Sequence, residues 1–164
     1  MNSSPIVKEY SREYQAEVVD LILPIQQEEY NIQITKENQP DLFTIEEFYQ
    51  TGNGNFWVAI CDDKVVGTIS LLDIGNEQVA LRKMFVKKEF RGSTYKTASL
   101  LLERAIKWVR ERHIKEVYLG TTPQFLAAHR FYEKNGFINV APEDLPDTFP
   151  VLQVDKRFYK YVLE

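Results

Sequence analysis

The feature that most limits what this chain can fold into is a change of hydrophobic period near residue 90. From Asn55 to Val86 the apolar residues alternate or run in short blocks, the pattern of half-buried and buried strands. This predicts strands at Asn55–Cys61, Lys64–Leu72 and Gln78–Val86, an antiparallel meander with Asp62-Asp63 as a turn and Gly67 as a candidate bulge. From Thr94 to Arg112, in contrast, Ala98, Leu101, Leu102, Ala105, Ile106 and Val109 fall on one helical stripe. A meander that feeds an amphipathic helix implies a sheet with helices packed on it, an α/β domain with a mixed (α+β) sheet.

The flanking segments extend this pattern. Residues 13–30 predict an amphipathic helix that Pro24 kinks or ends. Thr44 to Tyr49 predicts a short helix with Thr44 as N-cap and Glu47 closing a capping box, stopped at Gly52-Asn53-Gly54. After the long helix, Glu116–Gly120 predicts a strand. Residues 123–135 predict a helix with Pro123 in its first turn and an Asn135-Gly136 stop. Phe137–Val140 and Val154–Leu163 close the chain as strands, and Ile6–Tyr10 is a candidate first strand. Repeats and low-complexity linkers are absent, so residues 1–164 are expected to form one domain.

Composition removes several classes. At 44% hydrophobic and 13% aromatic, the 164 residues are not a disordered chain. Cys61 is the lone cysteine, which excludes a disulfide scaffold, and it is expected to be a small core residue. With only His113 and His129 beside it, no metal cage is expected. No apolar run approaches the roughly 20 residues that cross a bilayer, and the first residues lack a basic start followed by an apolar stretch. A cytoplasmic protein without membrane contacts is therefore expected. A net charge of −4 argues against a broad nucleic-acid face.

Two segments carry candidate chemistry. In Met84-Phe85-Val86-Lys87-Lys88-Glu89-Phe90-Arg91-Gly92-Ser93-Thr94-Tyr95-Lys96-Thr97-Ala98, a strand runs through a charged loop into a helix start. Such a junction turns several backbone N–H groups one way, and the helix dipole favours an anion there. Arg91 and Lys96 add charge, Ser93, Thr94 and Thr97 add hydroxyls, and Gly92 permits close backbone approach. A plain turn with Ser93 or Thr94 as N-cap is the alternative. A P-loop does not fit, because Tyr95 occupies its second glycine position. The other segment is Ala127-Ala128-His129-Arg130-Phe131-Tyr132-Glu133-Lys134-Asn135-Gly136-Phe137, a helix that ends at a glycine and enters a strand. Its aromatics are either core or part of a cleft, and His129 either faces that cleft or lies exposed.

Together these segments resemble the GNAT superfamily, the GCN5-related N-acetyltransferases, in a small single-domain bacterial-type form. Arg91-Gly92 after Met84-Phe85-Val86 is similar to the start of the family's pyrophosphate motif. Phe131-Tyr132-Glu133-Lys134-Asn135-Gly136-Phe137 is similar to its second signature. The resemblance implies a GNAT-like acyl-CoA N-acyltransferase fold, a central, mostly antiparallel sheet flanked by helices. It implies acetyl-CoA as co-substrate, no metal, and direct acetyl transfer to a primary amine of a small molecule or peptide. It places the cofactor on Met84, Phe85, Val86, Arg91, Gly92, Ser93, Thr94, Tyr95, Lys96 and Thr97, and gives Tyr132 the acid role toward the leaving thiolate.

Thr94 and Lys96 depart from the small residues usual at those positions, and Gln124 and Phe125 stand near where an Asn is usual. These departures motivate the rival reading, a non-catalytic acyl-CoA-binding or protein-interaction module. The general base stays unassigned. Glu28, Glu29, Asp41 and Glu77 are available, each most simply a surface carboxylate. Strand alternation turns one of Arg82 and Lys83 toward the site, where it would suit an acceptor bearing a carboxylate. Val154–Leu163 is either an ordinary sheet strand or a homodimer contact.

Overall fold

A computed structural model describes residues 4–163. Seven strands form one sheet: β1 (Ile6–Glu9), β2 (Asn55–Cys61), β3 (Lys64–Gly75), β4 (Gln78–Val86), β5 (Glu116–Thr121), β6 (Ile138–Val140) and β7 (Arg157–Val162). Their spatial order is β1-β2-β3-β4-β5-β7-β6. Every neighbouring pair is antiparallel except β4 with β5. The helices are α1 (Gln15–Pro24), α2 (Ile45–Phe48), α3 (Thr97–Glu111) and α4 (Leu126–Lys134). β7 lies between β5 and β6, so both its backbone edges are paired within the sheet.

The unbroken apolar run of β2 follows from burial on both faces. Trp57, Ala59 and Cys61 join Leu101, Leu102, Ala105 and Val109 of α3 in one core. Phe56 and Val58 join Val18, Leu21 and Ile22 of α1 and Ile45 of α2 in the other. A smaller cluster forms where Phe149 covers Ala80, Tyr118 and Phe158. In β3 the extra residue of the bulge is Val66, because Ala59 pairs with Gly67 while Ile60 pairs with Val65. Gly67 beside it gives α3 room: a Cβ there would meet Leu101 at 3.0 Å and Thr97 at 3.2 Å.

The helix starts differ from the sequence expectation in instructive ways. The first helical run changes pitch at Pro24, and Ile25–Glu29 continue it as a π-helical turn. Thr44 flanks α2, but its hydroxyl donates to the Pro40 carbonyl at 3.3 Å and no capping box forms. α3 begins at Thr97 rather than Thr94. Lys96 N–H donates to the Gly92 carbonyl at 3.1 Å, closing a turn first, and Lys96 flanks the helix with a left-handed backbone, φ +55°. α4 begins at Leu126 rather than Pro123, after a turn in which Phe125 N–H donates to the Thr122 carbonyl at 3.2 Å. Asn135-Gly136 ends it as expected, with Gly136 at φ +93°.

The turn into β2 makes a direct demand on one glycine. A Cβ on Gly54 would overlap the Tyr49 carbonyl and lie 2.6 Å from the Leu71 carbonyl, both backbone atoms. Gly54→Ala is expected to destabilise the fold by about 2 kcal/mol or more, read by urea unfolding. A loss below about 0.5 kcal/mol would show that this turn yields without strain.

Candidate active site

β4 and β5 are hydrogen-bonded only from Gln78 to Ala80 and from Glu116 to Tyr118. Beyond those pairs the strands part, and a cavity of about 330 Å³ opens between them. Leu81 to Val86 form one wall and Gly120 to Thr122 another. Ala98 of α3 and Ala127, Phe131 and Tyr132 of α4 line its apolar side. Ile25, Gln26 and Tyr30 from the π-helical turn and Asp155 from the segment before β7 complete it.

A bulge in β4 decides which side chains face this space. Thr68 pairs with Phe85 and Ser70 with Arg82, so Ile69 stands opposite both Lys83 and Met84. Lys83 is the bulged residue, at φ +53°. Two hydroxyls of β3 hold the distortion: Thr68 donates to the Lys83 carbonyl and Ser70 to the Arg82 carbonyl, each at 2.7 Å. Ordinary alternation would send one of Arg82 and Lys83 to each face; the bulge turns both to the same side. Both lie near one atom, Asp41 Oδ2, at 3.8 Å from Arg82 and 3.7 Å from Lys83.

Asp41 is therefore a buried hub rather than a surface carboxylate. Tyr49 donates its hydroxyl to the same Oδ2 at 2.5 Å. The Arg82 guanidinium lies 5.8 Å and 6.0 Å from the ring centres of Phe48 and Tyr49. The Lys83 ammonium donates to Gln39 Oε1, and Gln39 and Gln26 bond each other through their amides at 2.8 and 3.1 Å. Burial pulls the Lys83 ammonium down to about 8, against the opposing pull of Asp41. Burial likewise pushes Asp155 up to about 6, opposed by a backbone hydrogen bond from Leu152 and by the charges of Arg82 and Lys83.

Of the residues singled out in the loop, Met84, Phe85, Val86, Arg91 and Gly92 line the cavity. Arg91 donates from Nε to the Val86 carbonyl at 2.8 Å. Its guanidinium grips both oxygens of Glu29, one at 2.8 Å, and lies over the Tyr30 ring. That grip holds the Glu29 carboxyl below its usual range and ties the π-helical turn to the loop. Ser93, Thr94 and Lys96 are exposed, and Tyr95 packs its ring on Phe90 at 4.8 Å. Thr97 is buried and donates its hydroxyl to the Phe90 carbonyl at 2.9 Å, so that hydroxyl anchors the helix start. No side chain caps α3, which leaves its first-turn amides to other acceptors.

Tyr132 is 6% exposed and packs among Phe131, Phe137 and Tyr159. Burial raises its phenol far above the ordinary value of 10, so it stays protonated. His129 is buried with Nε2 3.0 Å from the Thr122 carbonyl, outside the cavity lining. Glu28 and Glu77 are exposed, and Glu77 pairs with Lys115. Among the described residues no group of three or more His, Cys, Asp or Glu is placed to hold a metal ion. No described helix is long and apolar enough to cross a membrane. Asp155, Gln26 and Gln39 carry no signal in the sequence, because each sits in irregular or weakly periodic chain.

Comparison with known proteins agrees with this fold. The acetyltransferase (GNAT) family model matches residues 19–137, and the chain belongs to that family. A GNAT-family acetyltransferase structure from Staphylococcus aureus Mu50 is 42% identical, with a TM-score of 0.95 over 98% of this chain and all of that one. The N-acetylaspartate synthetase of Xenopus tropicalis is 36% identical over 104 residues, 61% of this chain. That match spans only 37% of the synthetase. An N-acetylglutamate synthase from Neisseria gonorrhoeae, complexed with coenzyme A and N-acetyl-glutamate, shares the fold at a TM-score of 0.75 and 13% identity. It covers all of this chain and 36% of that one.

Burial of Asp155 makes the stability of the fold depend on pH. The fold holds a proton that the unfolded chain releases near 3.8, so this group's contribution is full below 3.8 and lost as pH rises to about 6. Asp155→Asn carries no such proton. Measured by urea unfolding from pH 4 to pH 7, the variant is expected to gain on the wild type as pH rises. A difference independent of pH would contradict the buried, raised carboxyl.

Proposed function

We propose that this GNAT-family chain is an acetyl-CoA-dependent N-acetyltransferase, carrying an acetyl group directly to a primary amine. The observation that carries the reading is the cavity between the parted strands. It joins the amino end of α3 to a buried polar cluster, with Tyr132 on its wall. The named relatives, an N-acetylaspartate synthetase and an N-acetylglutamate synthase, support an amine acceptor of low molecular weight.

The residues fit an elongated ligand with an anionic end and an amide-bearing arm. After Ala80, the β4 backbone has no β5 partner, so Leu81 to Val86 offer edge hydrogen-bonding groups to an extended chain. At the other end, the first-turn amides of α3, with Gly92 and the charges of Arg91 and Lys96, suit a pyrophosphate. Gly92 sits at φ +91° with nothing within 4 Å of where a Cβ would be, so backbone approach there is open. Bound in this way, acetyl-CoA supplies the activated acyl group as a thioester.

The chain's own residues then have separate tasks. Backbone N–H groups at the β4 bulge can stabilise negative charge on the reacting carbonyl oxygen. Ala127, Phe131 and the Tyr132 ring keep bulk water from the reacting end. Tyr132, protonated at neutral pH, gives its phenolic proton to the departing thiolate. Positioning both reactants in one slot supplies much of the remaining acceleration.

Acetyl-CoA at a hundred times its Kd is expected to stabilise the fold by about 2.7 kcal/mol, a Tm rise of roughly 5–10 °C for a domain of this size. Tyr132→Phe is expected to lower kcat about 100-fold, with acetyl-CoA affinity by calorimetry changed less than about twofold. No binding heat and no Tm shift would overturn the donor assignment. An unchanged kcat would remove Tyr132 from the acid role.

A further inference from the structure

The polar end of the cavity holds charges that the cofactor reading does not use. Arg82 and Lys83 are brought to one side by the bulge, and both approach the single oxygen Asp41 Oδ2, beyond hydrogen-bond length at 3.8 and 3.7 Å. That oxygen already takes the Tyr49 hydroxyl. Arg82 Nε is buried and has no hydrogen-bond partner among the described residues. Both cations thus hold Asp41 only at ion-pair distance, and Arg82 Nε is left unsatisfied in a largely buried setting, where an unpaired polar group is costly. A carboxylate supplied from outside would give that guanidinium a partner.

Asp155 stands across the same space. Among the described residues that line the cavity it is the one carboxylate. It sits against Gly120 on β5, where an added Cβ would lie 2.6 Å from Asp155 Oδ2. Arg82 and Lys83 are near enough to act on it electrostatically. The cavity therefore presents two cations on its β4 side and one anion beside β5.

Resting on the transferase reading above, we propose that the acceptor is a free amino acid, whose carboxylate is received by Arg82 and Lys83 and whose amine is received by Asp155. The guanidinium, held against Phe48 and Tyr49, offers a planar fork to a carboxylate. Asp155 accepts one proton from the substrate ammonium. The neutral amine then forms the new C–N bond as the thioester C–S bond breaks; Tyr132 gives its proton to the thiolate, its phenolate takes the second proton that the nitrogen loses as the amide forms, and the proton held by Asp155 passes to solvent. A simple amine or a polyamine would meet Asp155 but bring no carboxylate for Arg82 and Lys83 to receive.

The test is thiol release by the full chain with saturating acetyl-CoA, using matched sets of three acceptors. Each set holds an amino acid, its carboxamide and its decarboxylated amine, with aspartate, glutamate, leucine and lysine as parents. The amino acid of at least one set is expected to exceed both its analogues in kcat/KM by about 100-fold. Arg82→Gln is expected to raise the KM for that amino acid at least 10-fold and to narrow the gap, leaving the acetyl-CoA KM unchanged. Arg82→Lys recovers part of the loss. Asp155→Asn is expected to lower kcat about 100-fold, again without changing the acetyl-CoA KM. Turnover of amines or carboxamides equal to that of the amino acids would overturn this inference and leave the transferase reading intact. No thiol release from any compound would overturn it also. Without an acetyl-CoA Tm shift, that result would take the donor assignment with it.

Discussion

β4 and β5 stay hydrogen-bonded for three residues and then separate, and the cavity exists because they do. Two backbone edges left unpaired inside a sheet are costly unless something else takes their hydrogen bonds. Where the strands are paired, both faces hold them together: Val79 and Leu81 of β4 and Val117 and Leu119 of β5 share the core under α3, and Ala80 and Tyr118 share the cluster of Phe149 and Phe158. What remains is a slot with hydrogen-bonding walls, open to a ligand that has an extended backbone of its own.

The bulge at Lys83 is a second device in the same strand. A lysine at φ +53° is held in a region that non-glycine residues seldom occupy, at a cost on the order of 1 kcal/mol. Thr68 and Ser70 hold the carbonyls on either side. In return, adjacent residues of one strand, Arg82 and Lys83, face the same space. Asp41, Tyr49, Gln39 and Gln26 then form the network that keeps the two cations in place. Arg91 does something comparable at the other end. By gripping Glu29 it fastens the segment that carries Gln26 to the loop before α3.

Much of this was legible in the residues. β2 and β4 span the residues expected of them, Asn55–Cys61 and Gln78–Val86, and the stripe from Leu101 to Val109 is the buried face of α3. Helix starts were less legible. Thr94 and Pro123 carry ordinary start signals, yet local turns through Gly92–Lys96 and Thr122–Phe125 delay both helices by three residues. The site was half legible. The strand–loop–helix junction and Tyr132 stand out as a motif. Asp41 does not, because its burial comes from Tyr49, Arg82 and Lys83, which meet it only in three dimensions. Asp155 lies in irregular chain with no period to betray a facing side. The Arg82–Lys83 pair had a signal, two adjacent cations in an otherwise apolar strand, but alternation alone allows only one of them inward.

On the proposed reading, the parted edge of β4 and the amino end of α3 together hold the acyl donor. Amide hydrogen exchange with and without acetyl-CoA tests it most directly, since it reads backbone groups one segment at a time. Slowed exchange is expected at residues 84–87 and 92–99, with the β1–β2 pairing and the carboxyl half of α3 unchanged. Protection confined to other parts of the sheet, or none at all under saturating ligand, would contradict it.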